Sequence, residues 1–169
     1  MCIKTPPMKY WLSIVLFFSA MITCAQDYTL SGNEVKIAKE ILFETGTDKL
    51  RPESLAALEI IKQYLTDKSY ISTLRVECHS DNTGNAAANQ VLTEKRALAV
   101  CKKLVEMGVD CKRLIAVGFG DTKPVAANSS PEGRAQNRRL CFMNAALRNR
   151  AIGGMPLDGG GKVAGDACN

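Results

Sequence analysis

The sequence predicts an α+β fold. Its form is a two-layer sandwich in the order β-α-β-α-β-(α)-β, with helices on one face of a small mixed four-stranded sheet. Three observations carry this. Leu55, Leu58, Ile61 and Leu65 recur at spacings of three and four, which lays one apolar stripe along a helix. Leu74, Val76 and Cys78 alternate with Thr73, Arg75 and Glu77, the period-two pattern of a strand with one buried and one polar face. From about Ala86 to Met107, Leu92, Val100 and Leu104 stand among many alanines, and Gly108 follows where helices commonly terminate.

The elements follow in order. Val35, Ile37 and the run Ile41-Leu42-Phe43 read as the first strand region, and Thr45-Gly46-Thr47-Asp48 as a turn. Pro52 suits the first position of a helix, where its missing N–H is not needed. That helix ends near Asp67-Lys68-Ser69, and Ile71 to Cys78 is the second strand. The chain breaks at Asp81-Asn82-Thr83-Gly84 and enters the long helix. Leu114 to Val117 is a third strand, closed by Gly118-Phe119-Gly120. After a loop from Asp121 to Ser130, Ser130-Pro131-Glu132 reads as a helix cap, and Arg138 to Met143 as the fourth strand. The domain is expected over residues 27–145. The glycine groups beyond it read as a flexible tail over 146–169.

A length of 169 residues suits one domain, and 46% hydrophobic with 23% charged residues suits a globular core. The net charge of +5 comes without a Lys/Arg run interleaved with aromatics, which argues against nucleic acid as a partner. Residues 1–25 read as a signal peptide: Lys4 and Lys9 are its basic start, and Trp11 to Ile22 its apolar run. Two processing routes stay open, cleavage after Ala25 or lipidation of Cys24, although Thr23 suits the second poorly. Either exports the chain, and membrane contact is expected only through a lipid on Cys24. Cys78, Cys101, Cys111, Cys141 and Cys168 then meet an oxidising compartment. Cys78 and Cys141 read as small strand residues, and a Cys101–Cys111 bridge is one option that the sequence leaves open.

The chemistry concentrates after Cys78. Asp81 stands at the break, and Asn89 and Arg96 share one helix face two turns apart, roughly 10 Å along the axis. A loop carboxylate facing an arginine suits a small zwitterion: the carboxylate takes an ammonium group and the guanidinium takes a carboxylate.

Three segments carry a resemblance. They are Ile41-Leu42-Phe43 with Thr45-Gly46 and Leu50; His79 to Gly84 with Asn89, Leu92-Thr93 and Arg96-Ala97; and Gly133-Arg134 with Asn137-Arg138-Arg139. Together they resemble the OmpA C-terminal domain family, which includes the peptidoglycan-associated lipoprotein and the periplasmic part of MotB. The resemblance implies non-covalent binding of peptidoglycan through stem-peptide diaminopimelate, on the periplasmic side of a Gram-negative outer membrane. Asp81 would hold the ligand's ammonium and Arg96 its carboxylate. Asn89 and Arg138 would add hydrogen bonds, and Thr45 and Ser80 would line the pocket. Outer-membrane proteins are further candidate partners, and no cofactor is implied. Cys78 and Ser80 depart from the family's usual glycine and threonine, and Thr93 from its serine. Arg139, next to Arg138, is expected on the opposite face of its strand, in a structural role.

Other chemistries fit less well. Cys78, His79 and Asp81 lack zinc-ligand spacing, and adjacent strand residues point apart. His79-Ser80-Asp81 cannot converge as nucleophile, base and orienter, and no second histidine exists, so no enzyme is expected. With only a few residues before the domain, no eight-stranded barrel is expected. The remaining alternatives are a stator-like anchored protein, disfavoured because Trp11 to Thr23 holds no ionisable residue, and an adaptor for another zwitterionic ligand.

Overall fold

The computed structural model describes residues 27–153 and 159–169. The signal-peptide expectation for residues 1–25, with Cys24, lies outside the described residues. The elements are β1 (Tyr28–Ser31), β2 (Glu34–Ile37), α1 (Leu55–Asp67), β3 (Ile71–His79), α2 (Ala86–Glu106), β4 (Leu114–Gly120), α3 (Pro131–Asn137), β5 (Leu140–Leu147), β6 (Arg150–Ala151) and β7 (Lys162–Val163). The sheet order is β1-β2-β5-β3-β4-β7, with β6 also paired to β5. β3 and β4 are parallel and the other pairs antiparallel. The two-layer α+β plan and the mixed sheet are as the sequence predicts, with β2, β5, β3 and β4 at the centre.

The sheet is wider than the four expected strands, and the first strand is shifted. Val35 and Ile37 lie in β2, folded against β1 as a hairpin. Ile41-Leu42-Phe43 does not join the sheet, because its polar groups are taken locally. The buried Ser54 hydroxyl donates to Leu42 O and accepts from Leu42 N, at 2.9 and 2.8 Å, and Arg51 N also donates to Leu42 O. Only Phe43 forms a bridge, to Leu50. The backbone is thus satisfied without a neighbouring strand.

Helices α1 and α2 pack on one sheet face. Leu58, Ile61 and Leu65 from α1 join Ala97, Val100 and Leu104 from α2 over Leu74, Val76, Cys78 and Phe142. Helix α2 sits close against β4. A Cβ on Gly118 would lie 2.3 Å from Glu94 N, so only glycine permits this approach. Gln90 Nε2 donates to Gly118 O at 2.8 Å, and Gly120 N donates to Thr93 Oγ1 at 2.9 Å. These contacts fix the helix half that carries Asn89 and Arg96.

Two expectations need correction. The polar side of β3 is not open to water: Arg75, Glu77 and His79 are 7%, 5% and 3% exposed. Arg75 and Glu77 satisfy one another, with Arg75 Nε and Nη2 each 2.6 Å from Glu77 Oε1, and His79 Nε2 faces Glu77 Oε2 at 3.6 Å. The tail expected from residue 146 onward is also built into the fold. Ala146 and Leu147 belong to β5 and pair with β6, β7 pairs with β4, Ala167 is buried in the core, and Cys168 is disulfide-bonded to Cys111. These attachments use backbone groups and a cross-link, so no hydrophobic periodicity announces them. Cys101 is a free, buried thiol, and the Cys101–Cys111 option is not the one formed.

Candidate functional site

The site grows from the end of β3. Its register against β4 shifts between Cys78 and His79, and Ser80 N then donates to Gly120 O at 2.8 Å. The chain turns at once. Asp81 Oδ1 accepts from Thr83 N at 2.9 Å, the local bond that suits aspartate to turns, and Gly84 supplies a φ of +85°. Asn85 Oδ1 then accepts from Ala88 N at 3.0 Å and caps α2. Asn89 closes the loop from the helix side, donating Nδ2 to Thr83 O at 2.9 Å and to Asp81 O at 3.3 Å. The Asp81 carboxylate is therefore fixed before any ligand arrives.

Arg138 leaves the end of α3 and donates Nη1 to Asp81 Oδ2 at 2.5 Å. The carboxylate is 10% exposed and the arginine side chain 54%. Burial pushes the Asp81 carboxyl up, but the bonds from Arg138 and Thr83 more than offset this and hold it below the usual aspartate range. The base of Arg138 is fixed by the fully buried Asn137. Its Oδ1 accepts from Val125 N and Ala126 N, and its Nδ2 donates to Ala126 O and Asn128 Oδ1. Asn128 Oδ1 also accepts from Asn82 N at 3.4 Å, so the loop after β4 is tied to the Asp81 loop. Gly133 lets this loop approach α3, since a Cβ there would lie 1.9 Å from Ala127 O.

Arg96 comes from α2. Its Nε donates to Thr47 O at 2.8 Å and its guanidinium carbon lies 4.9 Å from the Phe43 ring centroid. The turn that supplies both is itself held by Glu44 N to Lys49 O and Thr47 N to Glu44 O. The guanidinium is thus oriented by one nitrogen and one ring face. Its two terminal nitrogens make no hydrogen bond among the described residues. A cavity of about 360 Å³ opens beside it, walled by Leu42, Phe43, Thr45, Cys78, Arg96, Arg138 and neighbours. Burial pushes the Cys78 thiol up to about 12, so this part of the wall is neutral and inert.

Of the six residues expected at the site, Thr45, Arg96 and Arg138 share the cavity wall. Asp81 adjoins it through Arg138. Asn89 braces the loop instead of facing the cavity. Ser80 does not line it, and its hydroxyl is buried without a partner among the described residues. Reasoning from sequence missed Phe43, the Thr47 carbonyl and Asn128. Phe43 was visible as the last residue of an apolar run. The other two act through a backbone group and a loop amide, which leave no pattern. Arg138 and Arg139 take different partners, and Arg139 Nη2 donates to Lys123 O at 3.1 Å. Among the described residues, no group of three His, Cys, Asp or Glu side chains could hold a metal.

Comparison with known proteins gives the arrangement a context. The model of the OmpA family matches residues 42–138, more than half of the chain. Outer membrane porin F of Pseudomonas aeruginosa is 41% identical over 108 residues, which is 63% of this chain and 30% of the porin. The outer-membrane lipoprotein YfiB of the same organism is 35% identical over 112 residues, 66% of each protein. This chain therefore matches less than a third of the porin's length and about two thirds of the lipoprotein's. Among solved structures, the cell wall anchor of the T6SS from Pseudomonas aeruginosa superimposes with a TM-score of 0.59 at 30% identity, covering 73% of this chain and 89% of that one. The peptidoglycan-associated lipoprotein from Burkholderia pseudomallei gives 0.55 at 28% identity, covering 62% and 88%.

Proposed function

This chain belongs to the OmpA family, and we propose that it binds peptidoglycan non-covalently on the periplasmic side of the outer membrane, linking that membrane to the wall. The ligand is the diaminopimelate of a stem peptide, held as a zwitterion. Arg96 takes its carboxylate through the two terminal nitrogens, a pairing for which the planar guanidinium fork is suited. Asp81 takes its ammonium group. In the free protein Asp81 is paired with Arg138, whose side chain is half exposed. An arriving ammonium competes for the same carboxylate and releases Arg138 toward the ligand's anionic side. Thr45 closes the wall from the 44–49 turn, and Asn89 keeps the Asp81 loop in shape. No bond is made or broken, and the protein is a binding module, not an enzyme.

The observation that carries this reading is Arg96: a guanidinium oriented by Thr47 and Phe43, with no acceptor for its terminal nitrogens among the described residues, on the wall of a cavity. The test is co-sedimentation of the full chain with purified insoluble peptidoglycan. The wild type should pellet with the wall, and Arg96→Ala should remain in solution while still unfolding cooperatively, with stability lowered only by the lost Thr47 and Phe43 contacts, about 1–2 kcal/mol. A wild type that is folded yet stays in solution, or an Arg96→Ala variant that pellets equally well, overturns the assignment. An assay for soluble muropeptides in the same tubes should detect no release.

A further inference from the structure

The charges around the cavity do not balance. Arg96, Arg138 and Arg139 all stand on its wall, and no aspartate or glutamate does. Asp81, at the edge, is ion-paired with Arg138. Neither Arg96 nor Arg139 has an ion-pair partner among the described residues. Arg139 uses Nη2 on Lys123 O, while its Nη1 is buried with no acceptor among the described residues. Next to it lies His79, 3% exposed, on the same cavity wall; its Nε2 is 3.6 Å from Glu77 Oε2, and its Nδ1 has no hydrogen-bond partner among the described residues. His79 stacks on Phe119 at 4.8 Å, and the Lys123 ammonium lies 4.8 Å from that ring's centroid. Buried donors without acceptors are rare, since each loses its hydration without replacement. Three guanidinium groups and the ligand's own ammonium group stand against one protein carboxylate, so a single ligand carboxylate leaves positive charge uncompensated.

We propose that Arg139 forms a second anion subsite and that the ligand is a stem peptide presenting two free carboxylates, one to Arg96 and one to Arg139. This rests on the peptidoglycan reading given above and adds a selectivity to it. Amidation of either carboxylate keeps the peptide's shape but removes a charge. It also sets N–H donors against guanidinium donors, which cannot pair. The site therefore discriminates between walls by the amidation of their stem peptides.

The test titrates the full chain with a diaminopimelate-containing disaccharide tetrapeptide and with a set in which each free carboxylate is amidated in turn. Two of the amidations, not one, should weaken wild-type binding by about tenfold or more. Arg139→Gln should bind the free peptide about tenfold more weakly and should be indifferent to one of those two amidations. Arg139→Lys, which keeps the charge, should retain part of the discrimination and guards against a folding defect in the glutamine variant. If only the amidation that mimics Arg96→Ala weakens binding, the second subsite is refuted while the first reading stands. If the wild type binds none of the peptides, both fall together.

Discussion

Two arginine–carboxylate pairs lie along the same strand and its continuation. Arg75 and Glu77, in the middle of β3, are 8% and 6% exposed. Arg138 and Asp81, just past its end, are 54% and 10% exposed. The first pair has no room for a competitor. The second has one half-exposed, hydrated partner and one largely buried carboxylate, which is what the proposed exchange with a ligand ammonium requires. The chemistry of the two pairs is the same. Depth in the sheet makes one of them architecture and leaves the other open to exchange.

The contrast can be broken by substitution. Glu77→Ala should be the most damaging, since it takes a carboxylate at 2.6 Å away from the buried Arg75 guanidinium and one at 3.6 Å from His79. A loss of about 3–5 kcal/mol is expected in denaturant unfolding, with wall binding impaired only as far as folding is. Asn137→Ala removes the amide that holds both the 125–128 loop and the approach to Asp81. About 2–3 kcal/mol should be lost, and here stability and binding should fall together. Asp81→Asn should change stability by less than about 1 kcal/mol, as befits a pair with a half-exposed arginine, yet abolish co-sedimentation with the wall. An Asp81 variant that unfolds like the Glu77 one would erase the distinction between the two pairs.

Acid sharpens the comparison further, with smaller effects. Burial and the facing Arg139 and Lys123 cations press the His79 pKa below its ordinary value, against the pull of Glu77. The unfolded chain therefore takes up this proton first, so stability should begin to fall as pH drops below about 6.5. His79 is the chain's only histidine, and His79→Phe should remove that first step. Asp81 and Glu77 are both lowered, so their contributions hold above about pH 4 and fade only as pH falls through the depressed values. Wall binding measured across this range should thus stay level through the histidine step and drop at the aspartate one.

Much of this is legible in the sequence. The stripe Leu55-Leu58-Ile61-Leu65 and the run ending at Gly108 locate α1 and α2 to within a few residues, because burial on one helix face imposes its own period. The period-two reading of β3 placed the strand and misjudged its second face. Alternation reports which side chains are apolar, and it does not report whether polar neighbours satisfy one another out of water. Arg96 and Arg138 were found on the cavity wall, whereas Asn89 supports the loop, since its amide reaches backbone carbonyls that no sequence pattern marks. The Cys111–Cys168 link joins residues 57 apart, and cysteine counting alone offers many pairings. The two-residue strands β6 and β7 are held by the edges of longer ones, so their own composition carried no signal.

The β1–β2 hairpin has a mechanical consequence. The polypeptide enters the described fold at Asp27 and runs straight into β1, which touches the sheet only through β2. β2 in turn meets β5 at two residue pairs, Glu34 with Met143 and Val35 with Phe142. Tension applied at the amino end, with the cavity held fast, loads first the four β1–β2 pairs, from Tyr28 with Ile37 to Ser31 with Glu34, and then the two β2–β5 pairs, one after the other, like a zipper. Held by the buried Val35 and the Tyr28–Tyr64 ring contact, the hairpin should still come away before α1, α2 and the cavity, lengthening the chain first.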